Sequence, residues 1–146
     1  MREAVSIIIP TYNRSALIGR ALETVLSQVC PQDEVIIVDD GSTDNTAAVV
    51  EPYAERARRS GTAFRYVRQA NAGVGAARNR GIAEAQHDLI AFNDSDDEWL
   101  PGKLERQCRL MAARRDLVMS FSDFKLRFVD GRLVPAGIRR WSEDCR

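Results

Sequence analysis

The sequence predicts an α/β fold: a mainly parallel sheet with helices on both faces, followed by a C-terminal β-hairpin. Three observations carry that expectation. Short apolar runs at residues 5–10, 34–40, 64–68 and 89–92 alternate with stretches of helical periodicity, the pattern of repeated βα units. The first, second and fourth runs are almost continuously apolar, as strands buried on both faces are. Polar loops follow at 11–14, 39–44 and 94–97, so all three fall beyond the carboxyl ends of their strands, the edge where such sheets bind ligands.

Val5-Ser6-Ile7-Ile8-Ile9-Pro10 is a β-branched run closed by proline. Leu17, Ile18, Ala21, Leu22, Val25 and Leu26 then recur at helical spacing, with Asn13 or Ser15 expected as N-cap and Cys30-Pro31 as the end. The second strand, 34–40, ends in Asp39 and Asp40. A turn at Gly41-Ser42-Thr43-Asp44 leads to a helix through Val49, Val50, Tyr53, Ala54 and Ala57, expected to kink or divide at Pro52 and to stop at Ser60-Gly61. Phe64-Arg65-Tyr66-Val67-Arg68 makes the third strand. Asn71-Ala72-Gly73-Val74-Gly75 opens the next helix, and Leu89-Ile90-Ala91-Phe92 makes the fourth strand. Pro101 suits the first turn of a helix carrying Leu104, Cys108, Met111 and Ala112 on one face. Met119 and Phe121 alternate in one phase and Phe124, Leu126 and Phe128 in the other, which predicts strands with a bulge near Ser122-Asp123. Asp130-Gly131 is a hairpin turn signal between Phe128-Val129 and Leu133-Val134.

The 146 residues are expected to form one domain spanning 1–146, long enough to need no staples. Basic and acidic residues number 21 each, which argues against a nucleic-acid footprint over the whole surface. Cys30, Cys108 and Cys145 are scattered without metal-type spacing and read as reduced thiols of a cytosolic protein. The opening residues lack the features of a signal peptide, and no apolar run is long enough for a membrane helix.

The densest chemistry lies at Asn93-Asp94-Ser95-Asp96-Asp97-Glu98-Trp99, where four carboxylates fall within five residues. At the end of a strand Asp94 and Asp96 share a side. Together they suit a hard divalent cation, Mg2+ or Mn2+, whose shell is often completed by phosphate oxygens. The plainer alternative is an acidic turn before a helix N-terminus. One of Asp39 and Asp40 is placed to accept hydrogen bonds from a base or ribose, although helix capping would also use such acids. Gly73 and Gly75 permit close approach of an anion to a helix N-terminus, and Arg78 and Arg80 supply positive charge one turn later, with Arg80 better suited to a solvated helix face. His87, the single histidine, precedes a strand and so lies away from this edge. Tyr12 and Trp99 could stack on a ligand or simply pack.

Taken in order, Ser6-Ile7-Ile8-Ile9-Pro10-Thr11-Tyr12-Asn13-Arg14, Val38-Asp39-Asp40-Gly41-Ser42-Thr43-Asp44, Asn71-Ala72-Gly73 with Ala77-Arg78-Asn79, and the acidic block at 93–99 resemble the family 2 glycosyltransferases over nearly the first hundred residues. The resemblance implies the GT-A fold, a Rossmann-like mainly parallel sheet, and a nucleotide-sugar donor, commonly a UDP sugar. It implies that Pro10, Thr11 and Tyr12 line the nucleotide pocket, that Asp40 meets the base and that Arg78 lies near the base or diphosphate. Asp94 and Ser95 would lie at the donor, and Asp96 and Asp94 would hold the cation of an Asp-x-Asp motif. It further implies inverting transfer to a saccharide or lipid-linked acceptor, with possible placement at the inner face of a membrane. The family's general base lies in an acceptor half well after this motif. Asp123, Asp130, Glu143 and Asp144 fall in no recognisable base motif, so the base is expected beyond Arg146 and the chain as the N-terminal donor-binding portion of a longer enzyme.

Three other classes share parts of this pattern. A non-catalytic sugar-nucleotide-binding module would share every donor residue and differ only in turnover. A phosphoacceptor receiver would place its acid pair after the first strand, whereas here a full strand and helix come earlier, and a haloacid-dehalogenase-type phosphatase would place Asp-x-Asp-Gly there.

Overall fold

Four parallel strands in the order β3-β2-β1-β4 carry the fold, with a separate two-stranded antiparallel sheet near the end. The computed structural model describes residues 2–128 and 130–136; Cys145, Glu143, Asp144 and Val129 lie outside them. In chain order the elements are β1 (Val5–Thr11), α1 (Ile18–Leu26), β2 (Glu34–Asp39), α2 (Thr46–Arg59), β3 (Ala63–Arg68), α3 (Val74–Glu84), β4 (Leu89–Phe92), α4 (Lys103–Ala113), β5 (Phe124–Arg127) and β6 (Leu133–Ala136).

The apolar runs explain the layers. β1 and β2 are buried along their whole length, and their side chains divide between two faces with period two. Val5, Ile7, Ile9, Val35 and Ile37 pack with Ile18, Leu22 and Val25 of α1, Val50 of α2, and Leu104 and Cys108 of α4. On the other face Ile36 and Val38 meet Ala77 of α3. The chain steps outward from β1 to β2 to β3, then returns to lay β4 on the opposite side of β1. That reversal opens a crevice between β1 and β4 at their carboxyl ends.

Gly81 shows how closely α3 sits on the sheet. A Cβ there would lie 2.3 Å from Cγ2 of Ile8 and 3.2 Å from its Cδ1 and Cγ1. Ile8 is fully buried and has nowhere to move. A glycine in mid-helix, otherwise unfavourable, is thereby explained. Gly81→Ala is expected to destabilise the fold by about 1–3 kcal/mol through overpacking, measured by urea denaturation; a loss below the error of that measurement would show that α3 can lift off β1.

Several local expectations are corrected. The N-cap of α1 is Leu17, without a side-chain cap. Asn13 instead adopts a left-handed backbone with φ of 50° and turns its Oδ1 to the N–H groups of Thr43 and Asp44, at 2.8 and 3.3 Å. Ser15 is likewise occupied, its N–H donating to Asp44. α1 ends at Leu26, before Cys30-Pro31. α2 runs unbroken through Pro52. Both Pro52 and Ala48, whose carbonyl would have taken the missing N–H, are exposed, so water replaces that hydrogen bond while Val50, Ala54 and Ala57 remain anchored.

Residues 118–123 form no strand, so the expected Met119–Phe121 strand and its bulge are absent among the described residues. Nothing in the four-stranded sheet pairs with them. The hairpin does form, with Leu126 opposite Val134 and Gly131 at φ 84°. Cys30 and Cys108 are free thiols. Among the described residues no helix is long and apolar enough to cross a membrane.

Candidate functional site

Four loops meet at the β1–β4 crevice, linked to one another by hydrogen bonds and an ion pair. Thr11 ends β1, and its carbonyl accepts the N–H of Asp40 at 2.9 Å. Asn13 N–H donates to Ser42 Oγ and Arg14 N–H to Thr46 Oγ1, at 2.9 and 3.0 Å. The Thr11 side chain is 3% exposed, and its Oγ1 is the one buried side-chain polar atom without a hydrogen-bond partner among the described residues. Such a group is costly to bury unless something satisfies it.

The acids after β2 divide their work. Asp39 accepts the Ser42 N–H at 2.8 Å and the Tyr66 hydroxyl; burial and the Asp39 carboxylate push the Tyr66 phenol well above its usual range. Asp44 accepts from the Thr46 hydroxyl and the Ser15 N–H, which hold its carboxyl well below the usual range.

Asp40 is 3% exposed and takes three donors from the loop at 69–73: Gln69 Nε2 at 2.8 Å, Ala72 N–H at 2.9 Å and Gly73 N–H at 2.7 Å. Burial pushes this carboxyl up, but the three donors outweigh it and leave the group below its ordinary value. Asp40 therefore braces the loop that opens α3, a task not foreseen in the sequence. Gly73, the N-cap of α3, sits at φ 89° with open space where a Cβ would be.

The acidic turn is shaped by Asn93. Its N–H continues the sheet to the Ile8 carbonyl at 3.1 Å, and its buried amide donates to the carbonyls of Asp94 and Asp97. Asp94 and Asp96 are left half-exposed. Asp94 accepts from Arg78 Nη2 at 2.7 Å, and Asp96 pairs with Arg14 Nε at 3.6 Å. Burial, followed by the negative charge of Asp94 and Asp96, pushes the Asp97 carboxyl up.

These groups line a cavity of about 490 Å³, and every site residue expected from the sequence faces it: Pro10, Thr11, Tyr12, Asp40, Arg78, Asp94, Ser95 and Asp96. Arg14, Asn71, Val74 and Ala77 line it too without having been singled out; Arg14 stands inside the first motif block, but nothing in the sequence separates it from a solvated loop arginine. Tyr12 is exposed, whereas Trp99 is buried in the core with Lys103 over its ring, so only Tyr12 is free to stack. Arg80 pairs with Glu84 one turn on. His87 lies at the opposite end of the strands, beside Glu3 and Arg115.

Among the described residues no cluster of three or more His, Cys, Asp or Glu is arranged to hold a metal by itself. Two half-exposed carboxylates opening on one cavity do fit a hard cation whose other ligands come from a bound phosphate ester.

A family model described as glycosyl transferase family 2 matches residues 6–130. The chain belongs to that family. It is 38% identical over 127 residues to TuaG of Bacillus subtilis, a glycosyltransferase whose name provisionally assigns it to teichuronic acid biosynthesis, covering 87% of this chain and 49% of TuaG. It is 35% identical over 142 residues to the B. subtilis glycosyltransferase EpsH, covering 97% of this chain and 40% of EpsH. The chain thus spans less than half the length of each of these two relatives. Among solved structures it resembles the mannosyltransferase PcManGT of Pyrobaculum calidifontis, in complex with GDP-Man and Mn2+, with a TM-score of 0.70, 28% identity and coverage of 77% of this chain and 33% of that one. S. aureus TarS 1-349, in complex with UDP-GlcNAc, gives a TM-score of 0.70 and 29% identity, covering 91% of this chain and 37% of that one. The fold is thereby of the GT-A type.

Proposed function

We propose that this chain is the donor-binding portion, one domain over 1–146, of a glycosyltransferase that transfers a sugar from a nucleoside-diphosphate donor, with UDP as the nucleotide and Mg2+ or Mn2+ as cofactor. The observation that carries the reading is the convergence on one cavity of an unsatisfied buried hydroxyl, two guanidinium groups and two half-exposed carboxylates. Thr11 Oγ1 and a remaining lone pair of Asp40 suit the base or ribose, with Pro10 and Tyr12 flanking it. Arg78 suits the diphosphate, with Ser95 beside it. Asp96 and Asp94 would hold the cation, which supplies charge stabilisation for the departing nucleoside diphosphate. The PcManGT and TarS complexes support a nucleotide sugar as donor, and the former supports a divalent cation.

Transfer by direct displacement forms a bond from an acceptor oxygen to the anomeric carbon, breaks the bond from that carbon to the diphosphate oxygen and inverts the centre. The acceptor proton needs a base. The acids lining the cavity, Asp40, Asp94 and Asp96, all have donor-side tasks, and the base is assigned to an acceptor half beyond Arg146, for which the greater length of TuaG and EpsH leaves room. The acceptor is a saccharide or lipid-linked glycan of an envelope polymer, in keeping with the name of TuaG. The enzyme works in the cytoplasm, at the inner face of the membrane.

Calorimetric titration with UDP in the presence of Mn2+ tests the donor reading. Asp96→Ala is expected to abolish the Mn2+ dependence of UDP binding. The fold should be unaffected, since a half-exposed side chain is worth no more than about 0.5 kcal/mol. Unchanged metal dependence in that variant would remove Asp96 from the role. Acceptor-dependent UDP release by a chain extended with an acceptor half separates an enzyme from a binding module.

A further inference from the structure

Arg14 is the one charged residue lining the cavity to which the reading above gives no individual task. Its backbone is clamped, the N–H to Thr46 Oγ1 and the carbonyl to the N–H groups of Leu17 and Ile18, so only the side chain can move. That side chain is half-exposed and lies against Asp96, while Arg78, reaching from α3, lies against Asp94. The two carboxylates of the Asp-x-Asp motif are thus each neutralised by an arginine from a different element. Half-exposed pairs of this kind are weak and easily exchanged.

We propose that Arg14 is a donor-positioning residue that, with Arg78, exchanges partners: when Asp94 and Asp96 turn to a divalent cation, both guanidinium groups turn to the diphosphate. The inference rests on the nucleotide-sugar reading of this cavity. Its physical basis is like-charge opposition. A cation arriving alone must displace two arginines, and a diphosphate arriving alone meets two aspartates. When both arrive, every charge finds an opposite partner, so each ligand strengthens the other by the same factor, as linkage requires.

Calorimetry on the full chain reads this directly, with Mn2+ alone, UDP alone in chelator, and UDP with saturating Mn2+. In the wild type Mn2+ should strengthen UDP binding within the range of about 5- to 150-fold typical of coupled sites. Arg14→Gln should bind Mn2+ alone about 2- to 5-fold more tightly, having lost a weak competitor. The same variant should bind UDP with Mn2+ about tenfold more weakly, having lost a charge-assisted contact. Arg14→Lys should recover part of the second effect, and thermal melts of both variants should match the wild type. A merely structural Arg14 would weaken both ligands together. Wild-type binding of UDP with Mn2+ whose coupling is unchanged in Arg14→Gln overturns the exchange while leaving the donor site standing. Failure of the wild type to bind either UDP or GDP with Mn2+ overturns the donor reading and the exchange with it.

Discussion

Asp40→Ala should weaken UDP binding in the presence of Mn2+ by about 30-fold or more and lower stability by about 2 kcal/mol, from three lost bonds to a charged acceptor. The carboxylate holds Gln69, Ala72 N–H and Gly73 N–H at 2.7 to 2.9 Å, and these donors set where α3, and with it Arg78, begins. Ala72 and Gly73 are exposed, so water takes up their N–H groups and the stability loss stays moderate. The binding loss is larger because the loop must then be ordered by the ligand itself. Asp40→Asn is expected to recover little, since an amide turns an N–H toward one of the donors it replaces. Calorimetry and urea denaturation on the same samples separate the two losses. A variant that kept wild-type affinity while losing stability would confine Asp40 to a scaffolding task.

The second large effect lies at the other end of the sheet. Glu34 is 2% exposed. Its Oε1 accepts the Ser6 hydroxyl and the Gln86 N–H, both at 2.6 Å, and its Oε2 accepts from Arg65 at 2.7 Å. Glu34→Ala leaves all three donors short of a partner and should cost about 3 kcal/mol, below the upper end for a broken buried pair because Arg65 is partly exposed and keeps Glu84. Burial pushes the Glu34 carboxyl up, but Ser6, Gln86 and Arg65 outweigh it, so the folded value lies below the ordinary 4.5. A depressed carboxyl stabilises the fold fully above its unfolded value and loses that contribution as pH falls through the folded one. The stability difference between wild type and Glu34→Gln, from urea denaturation at neutral and acidic pH, should therefore shrink below about pH 4.5. A difference that grew on acidification would reverse the sign assigned to this group.

Much of the architecture was legible because it depends on local pattern. The runs at β1 and β2 are rich in Ile and Val, that at β4 is apolar throughout, and all three end in polar loops, so strand identity and the loop-bearing edge follow from composition and order alone. Expectations failed where a short polar residue had two possible partners. Asn13 and Ser15 are plausible caps for α1 in isolation, but the loop after β2 lies beside them and offers bonds from Thr43 and to Asp44. Met119 and Phe121 alternate as a strand does, yet among the described residues no strand pairs with them.

By itself the sequence determined the βα repetition, the loop-bearing edge and eight residues that line the cavity there, because periodicity and motif order survive without knowledge of neighbours. Tertiary structure alone decided that β4 lies beside β1, that Gly81 rests on Ile8, that Glu34 is sealed under Arg65, that Asp40 braces the 69–73 loop and that Arg14 faces Asp96. Those partners stand tens of residues apart in the chain. They meet only once the sheet order is set, and that order is settled by packing of the whole core rather than by any one segment.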